Sequence, residues 1–68
     1  MTTKIVKKIL DEFYDKEEAT IILKSGKEID FNPTTACPFI DEDDILHLEG
    51  DFFAWIEVRE IATIKMKF

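Results

Sequence analysis

The spacing of the apolar residues changes once along the 68-residue chain, and this change limits what the chain can fold into. From Ala19 onward apolar residues alternate with polar ones, which is the period of a half-buried strand. Over residues 4–15 they recur every three to four positions, which is the period of an amphipathic helix. The sequence therefore predicts one N-terminal helix followed by β structure. The apolar stripe of the helix consists of Ile5, Val6, Ile9, Leu10 and Phe13.

The β part of the chain is predicted to hold about five short strands. Ser25-Gly26 and Gly50-Asp51 each stand between two alternating runs, which is typical of the tight turn of a β-hairpin. The alternation shifts near Arg59, and this predicts a bend before the last strand. The expected strands are residues 19–24, 27–31, 45–49, 52–59 and 61–68.

Residues 32–44 interrupt this pattern with two prolines and four consecutive acids. The sequence predicts a loop here, with Phe39 and Ile40 fixing its middle to the core. A loop of this length inside a compact domain is uncommon enough to be a functional candidate.

A helix followed by a bent antiparallel meander predicts a small α+β fold in a single domain, residues 1–68. The order and length of the elements resemble the small barrels of the SH3-like and Sm-like type. The resemblance covers shape only, because the Gly-rich and Asn-containing signatures of Sm-type RNA binders are absent from the chain.

The net charge is −6 and is unevenly distributed, because residues 28–60 hold ten acids against the single Arg59. This balance disfavours direct binding to nucleic acid, which depends on Lys and Arg contacts with phosphate. It disfavours anionic membrane surfaces for the same reason. A basic protein partner is compatible with it.

Cysteine usage and the absence of long apolar runs favour a cytoplasmic protein. Cys37 is the only cysteine, so no internal disulfide can form, whereas secreted domains of this size usually need several. No segment approaches the 18 apolar residues of a membrane span, and the N-terminus lacks the apolar core of a signal peptide.

The chain offers no convincing catalytic, metal or cofactor site. Cys37 and His47 are its only soft metal ligands, whereas structural zinc generally takes four. The acidic run lacks the glycine of a calcium loop, since Leu46 stands in that place. Apolar and acidic neighbours discourage thiolate formation, which favours a buried or loop role for Cys37. We expect no catalytic residues, no bound metal and no cofactor.

Two features are candidates for partner binding. The first is the acidic run, which a solvated loop also explains; it consists of Asp41, Glu42, Asp43 and Asp44. The second is the pair Phe53 and Trp55, which share the outward face of one predicted strand. The favoured explanation is that the N-terminal helix covers these two rings. The alternatives are an exposed aromatic anchor for a protein and a stacking platform for single-stranded nucleic acid.

These observations favour a non-enzymatic interaction module that binds a protein partner through a sheet edge or the acidic loop. A nucleic-acid mimic that occupies the basic site of another protein is the alternative, followed by a minimal enzyme built on Cys37 and His47. The terminal strand, residues 61–68, exposes an edge unless a barrel closes, so we also expect a homodimer formed through it.

Overall fold

The computed structural model describes residues 1–50 and 52–67, and among these it has one N-terminal helix and six strands in two antiparallel sheets. The predicted turn residue Asp51 and Phe68, the last residue of the predicted terminal strand, lie outside the described residues. The elements are α1 (Thr3–Glu12), β1 (Glu18–Leu23), β2 (Glu28–Phe31), β3 (Cys37–Ile40), β4 (Ile45–Glu49), β5 (Phe53–Glu57), a 3-10 turn (Val58–Glu60) and β6 (Ile61–Lys67).

The first sheet has the strand order β2-β1-β6, and the second has the order β3-β4-β5. In the first sheet Ile21 lies opposite Ile29 on one side and Ile64 on the other. In the second, Leu46 lies between Ile40 and Ile56. Both predicted hairpins, β1–β2 and β4–β5, are confirmed.

One hydrophobic core is formed by the inner faces of the two sheets together with α1. Apolar side chains alternate inward along each strand, as their two-residue period requires. Burial of these side chains is the main favourable contribution to folding. The buried residues are Val6, Leu10, Ala19, Ile21, Phe31, Ala36, Leu46, Leu48, Ile56, Val58 and Ile61.

The helix is shorter than predicted and lies in a different place. Its N-terminus is capped by the Thr2 hydroxyl, which accepts a hydrogen bond from the Ile5 N–H at 3.3 Å. Val6 and Leu10 face the core, while Ile5 is 49% exposed. The helix packs against β3 and the 3-10 turn. It ends at Glu12 rather than residue 15, with the chain turning where the Lys16 N–H bonds to the Phe13 carbonyl.

The predicted 32–44 loop contains a sixth strand, so the prediction of about five strands is wrong. Cys37–Ile40 pairs with β4 in regular antiparallel register. Pro38 does not prevent this pairing, because a strand at the edge of a sheet needs only alternate N–H groups for its single neighbour. Ile40 packs on the core as expected, whereas Phe39 faces outward and is 46% exposed.

The expectation that α1 covers Phe53 and Trp55 is also wrong. The two side chains are 75% and 73% exposed, because α1 fills a place beside β3 and the 3-10 turn instead. The bend predicted near Arg59 is confirmed; it is the 3-10 turn. In the pairing of β1 with β6, a register shift between Ile22 and Leu23 leaves Ala62 exposed.

Pairing within the described residues stops at two separate three-stranded sheets, without a closed barrel. A bilayer-spanning helix is not found in the same residues either.

Candidate functional site

The outer surface of the second sheet presents aromatic and acidic side chains in two rows across its three strands. Antiparallel register places Phe39, His47 and Trp55 side by side in one row. The neighbouring row consists of Cys37, Glu49 and Phe53. We call this surface the aromatic face; it comprises these six residues and Glu57, which follows Trp55 on the same side of β5.

The rings of the first row contact one another. The Phe39 and His47 rings are stacked, with centroids 4.5 Å apart and planes within 7° of parallel. The His47 and Trp55 centroids are 5.1 Å apart, with the rings tilted by 55°. The His47 side chain is only 13% exposed between its neighbours, whereas Phe53 and Trp55 lie largely in solvent. Large exposed aromatic groups of this kind commonly mark interaction sites.

His47 is anchored to the adjoining turn by Asp41. The Asp41 Oδ2 atom lies 2.6 Å from His47 Nε2. The other oxygen, Oδ1, accepts from the backbone N–H groups of Asp43 and Ile45 at 2.8 and 3.1 Å. The His47 hydrogen bond is the main reason that the pKa of Asp41 is lowered from 3.8. The two backbone hydrogen bonds lower this pKa further, and desolvation opposes them.

An ionised Asp41 assigns the proton of a neutral His47 ring to Nε2, because a carboxylate can only accept. The other ring nitrogen, Nδ1, is buried and has no hydrogen-bond partner among the described residues. The nearest carboxylate oxygen to it is Glu49 Oε2, at 3.8 Å, which is beyond hydrogen-bond distance. The hydrogen bonding of the His47 ring is therefore through Nε2 alone among the described residues.

The acidic run forms a structured turn between β3 and β4, not an extended loop. The Asp44 N–H bonds to the Asp41 carbonyl at 3.2 Å, and the Asp41 N–H bonds to the Ile45 carbonyl at 3.0 Å. Asp44 has a φ of +59°, and its Oδ1 accepts from the Thr3 hydroxyl at 2.8 Å. The carboxylates of Asp41 and Asp44 thus accept hydrogen bonds within the fold. The negative charge at the tip of the β3–β4 turn comes from Glu42 and Asp43.

Arg59 lies at the charged end of the aromatic face, next to Glu57. Its Nε is 3.0 Å from Glu57 Oε2 and 3.9 Å from Glu60 Oε1. The Arg59 side chain is 79% exposed, so this ion pair is of the solvated kind that contributes little to stability. Glu49, at the other end of the face, is not matched by an arginine in this way.

Cys37 and His47 lie on the same face of neighbouring strands, offset by two residues, since Cys37 is opposite Glu49 and His47 is opposite Phe39. The thiol is exposed rather than buried, and it lies on a strand rather than in a loop. His47 Nε2 is already bonded to Asp41. Within the described part of the chain, no group of three or more His, Cys, Asp or Glu residues is placed to hold a metal ion.

A groove of about 740 Å³ lies between Phe52 and the ends of β1, β2 and β6. Its rim carries acids and lysines, and two of these, Glu18 and Lys67, pair with each other at 3.2 Å. Residues 51 and 68, which adjoin Phe52 and Lys67 in the chain, lie outside the described residues. The aromatic face is therefore the better defined candidate site.

The predicted site residues are partly brought together. Phe53 and Trp55 share the aromatic face, and Asp41 is linked to it through His47; the other three acids lie in the turn beside it. Sequence reasoning missed Phe39 and His47 as members of the site. The spacing contained a signal, because residues 39, 47 and 55 are eight apart and two successive hairpins bring them side by side.

Comparisons with protein-family models, with curated proteins and with solved structures find no match to this chain. Any functional conclusion therefore rests on the geometry described above.

Proposed function

We propose that this protein is a non-enzymatic interaction module that binds a basic segment of a partner protein on its aromatic face. The observation that carries the proposal is the exposure of Phe53 and Trp55, which are 75% and 73% accessible on a regular strand. Solvent-exposed aromatic rings cost free energy in water and are enriched among the residues that dominate protein interfaces.

The charges around the rings support a cationic partner. Glu49 and Glu57 are on the face itself, and Glu42 and Asp43 are in the turn beside it. Arginine and lysine side chains can stack on the face of a tryptophan while their charged groups approach nearby carboxylates. The net charge of −6 adds long-range attraction for such a partner.

The proposal includes two less specific parts. The arrangement of the helix, the two sheets and the 3-10 turn before β6 supports an open relative of the SH3-like and Sm-like barrels. A cytoplasmic location is supported by the exposed free thiol of Cys37, since such thiols persist in reducing compartments.

Trp55 is the only tryptophan of the chain and therefore reports directly on this face. The experiment is a fluorescence titration with a tiled set of Arg- and Lys-containing peptides and with acidic peptides of the same length. We expect basic peptides to change the emission and to bind at least tenfold more weakly in 0.5 M than in 0.05 M NaCl. Acidic peptides should leave the emission unchanged.

Matched variants locate the binding surface by calorimetry. Phe53→Ala should weaken peptide binding at least tenfold, whereas Tyr14→Ala, which removes another 70% exposed ring that is not one of the face residues, should not. Glu49→Gln should weaken it more than Glu28→Gln on β2. Arg59→Gln should strengthen it, because the Arg59 guanidinium competes for Glu57.

Three outcomes would contradict the proposal. The first is an emission spectrum unchanged by every basic peptide. The second is peptide binding that Phe53→Ala leaves intact but Glu42→Gln with Asp43→Asn removes, which would favour the nucleic-acid mimic. The third is tighter binding of single-stranded oligonucleotides than of basic peptides, which would make the rings a stacking platform.

A further inference from the structure

We propose that two copies of the protein pair through their β5 strands, antiparallel and centred on Trp55, so that the two β3-β4-β5 sheets become one six-stranded sheet. The strand that pairs with the β5 edge is thus β5 of a second copy of this chain. This proposal does not rest on the proposed function, because it requires only the β5 strand of a second copy and no basic partner.

The hydrogen-bond alternation shows which β5 backbone groups lack a neighbouring strand. The Asp44 carbonyl accepts from the Val58 N–H at 3.1 Å, so this pair is a hydrogen-bonded one. Antiparallel pairs alternate, which makes Leu46 with Ile56 the next bonded pair. The backbone groups of the intervening residues point away from β4; these residues are Phe53, Trp55 and Glu57.

Natural proteins protect sheet edges with lysines, prolines, bulges or acidic side chains, and β5 has the least protection of the four edges. The β2 edge carries Glu28 and Asp30, and β3 contains Pro38. The β6 edge has outward lysines and the register shift near Ala62. Only β5 combines an uninterrupted backbone with two large exposed rings.

The charges of β5 fit antiparallel self-pairing. With Trp55 opposite the Trp55 of the second copy, Phe53 of each copy lies opposite Glu57 of the other. The single charged residue of the strand therefore never meets its own like charge, which would be destabilising if directly opposed. A two-fold axis through a hydrogen-bonded pair closes the assembly at two copies.

The exposed area predicts a dissociable dimer. Four rings that are about three-quarters exposed offer on the order of 600 Å² of apolar surface between them. Stable interfaces bury about 1,200 Å² or more, so five-residue strand pairing must supply the remainder. We therefore expect dimerisation in the micromolar range through β5, and not the homodimer through residues 61–68 that the sequence suggested.

Sedimentation equilibrium between about 1 and 500 μM tests the association. The weight-average mass should rise from 8.0 kDa towards twice that value. Trp55→Pro should raise the dissociation constant at least tenfold while leaving the β4 ladder intact, because the replaced N–H points away from β4. Met66→Pro, which places proline at an outward N–H of β6, is the matched control and should leave the mass profile unchanged.

Amide hydrogen exchange of the unmodified protein provides a second test that does not depend on a variant folding. The Phe53, Trp55 and Glu57 amides should gain protection as concentration rises, while the Ile64 and Met66 amides should not. A mass of 8.0 kDa at every concentration overturns the proposal. Dissociation by Met66→Pro, alone or together with Trp55→Pro, overturns it as well, because β6 would then form part of the contact.

Discussion

At the scale of single residues, Gly50 has no room for a side chain. A Cβ atom built there would lie 1.9 Å from the Thr35 carbonyl oxygen and 2.9 Å from the Ala36 Cα. Both are backbone atoms, so the chain itself would have to move. We expect Gly50→Ala to lower the free energy of unfolding by about 3 kcal/mol, the upper end of typical overpacking costs.

Gly26→Ala is the control for this prediction. Gly26 has a φ of +94° but open space around its Cβ position. We expect a loss of about 1 kcal/mol there, from backbone conformation alone. Urea denaturation of both variants makes the comparison. Equal losses would show that the contact between residues 35 and 50 can relax.

Asp41 should make stability depend on acid pH. A carboxyl whose pKa is lower in the folded than in the unfolded chain contributes stability above its unfolded pKa, which for Asp41 is 3.8. This stability is lost as the pH falls below that value and through the folded pKa. We therefore expect Asp41→Asn to flatten the stability curve below about pH 4.

Denaturant unfolding at pH values from 2.5 to 7 measures this effect. Asp43→Asn is the control. It removes a carboxylate from the same turn but keeps the backbone N–H that Asp43 donates to Asp41. If the curves of the two variants have the same slope below pH 4, the bond between Asp41 and His47 does not control the acid dependence.

The sequence predicted which way Phe53 and Trp55 point but not what surrounds them. Orientation follows from the two-residue period of a strand, which is a local property. Coverage depends on where α1 packs, and this is decided by the whole core. Val6 and Leu10 bury themselves beside β3, a strand that the sequence reading had not identified.

At the scale of elements, the same turn is built twice with different residues. In the β1–β2 turn, the Gly26 N–H bonds to the Leu23 carbonyl, and Gly26 has positive φ. In the β3–β4 turn, Asp44 takes the place of this glycine with a φ of +59°. Each connection has three residues, 24–26 and 42–44, and the third of them is in the left-handed conformation. This is a common hairpin connection.

Substitutions at Asp44 should separate its two roles. Asp44→Ala loses both the tolerance of positive φ and the Thr3 hydrogen bond, and we expect it to cost about 2 kcal/mol. Asp44→Asn keeps both and should remain within about 0.5 kcal/mol of the original protein. Thermal or urea unfolding measures both variants. Equal stability of the Ala and Asn variants would contradict this account of the turn.

The residues of the β3–β4 turn also explain why β3 was not predicted. Pro38 and the following acids are typical of loops, and only the register with β4 shows that Pro38 occupies a position whose N–H is not needed. A hairpin of three loop residues with aspartate in place of glycine lacks the usual sequence signal. The β1–β2 and β4–β5 hairpins carried glycine in their turns and were predicted correctly.

The orientation of α1 can be tested by truncating its two sides. Leu10 is 7% exposed and Ile5 is 49% exposed. We expect Leu10→Ala to cost about 2–5 kcal/mol, as for other buried leucines. Ile5→Ala should cost less than about 1 kcal/mol, because half of its side chain is already in water. Urea unfolding compares the two, and a larger loss for Ile5→Ala would place the other side of the helix on the core.

At the scale of the whole molecule, the alternation of apolar residues was enough to predict an α+β fold with antiparallel pairing. Closure of the sheets was not predictable, because it depends on how residues 32–36 connect β2 to β3 and on how the 3-10 turn connects β5 to β6. Here the chain turns: the N–H groups of Thr35 and Ala36 both bond to the Asn32 carbonyl, and Ala36 is buried. The two sheets are thus separated by a turn that carries no strand pairing.

The net charge of the molecule should make its stability rise with salt. The chain carries −6, with −9 over residues 28–60, so the folded state brings like charges together. The ion pairs that salt would weaken are exposed: those of Arg59 with Glu57 and of Lys67 with Glu18.

Screening by salt should therefore weaken the repulsion between the acidic residues more than it weakens the ion pairs. We expect the urea midpoint at pH 7 to increase between 0.01 and 0.3 M NaCl, by the equivalent of about 1 kcal/mol. The increase should be smaller for a variant with Glu42→Gln and Asp43→Asn, because these residues supply the charge at the tip of the β3–β4 turn. A midpoint that falls with NaCl would mean that the exposed ion pairs outweigh the excess of negative charge.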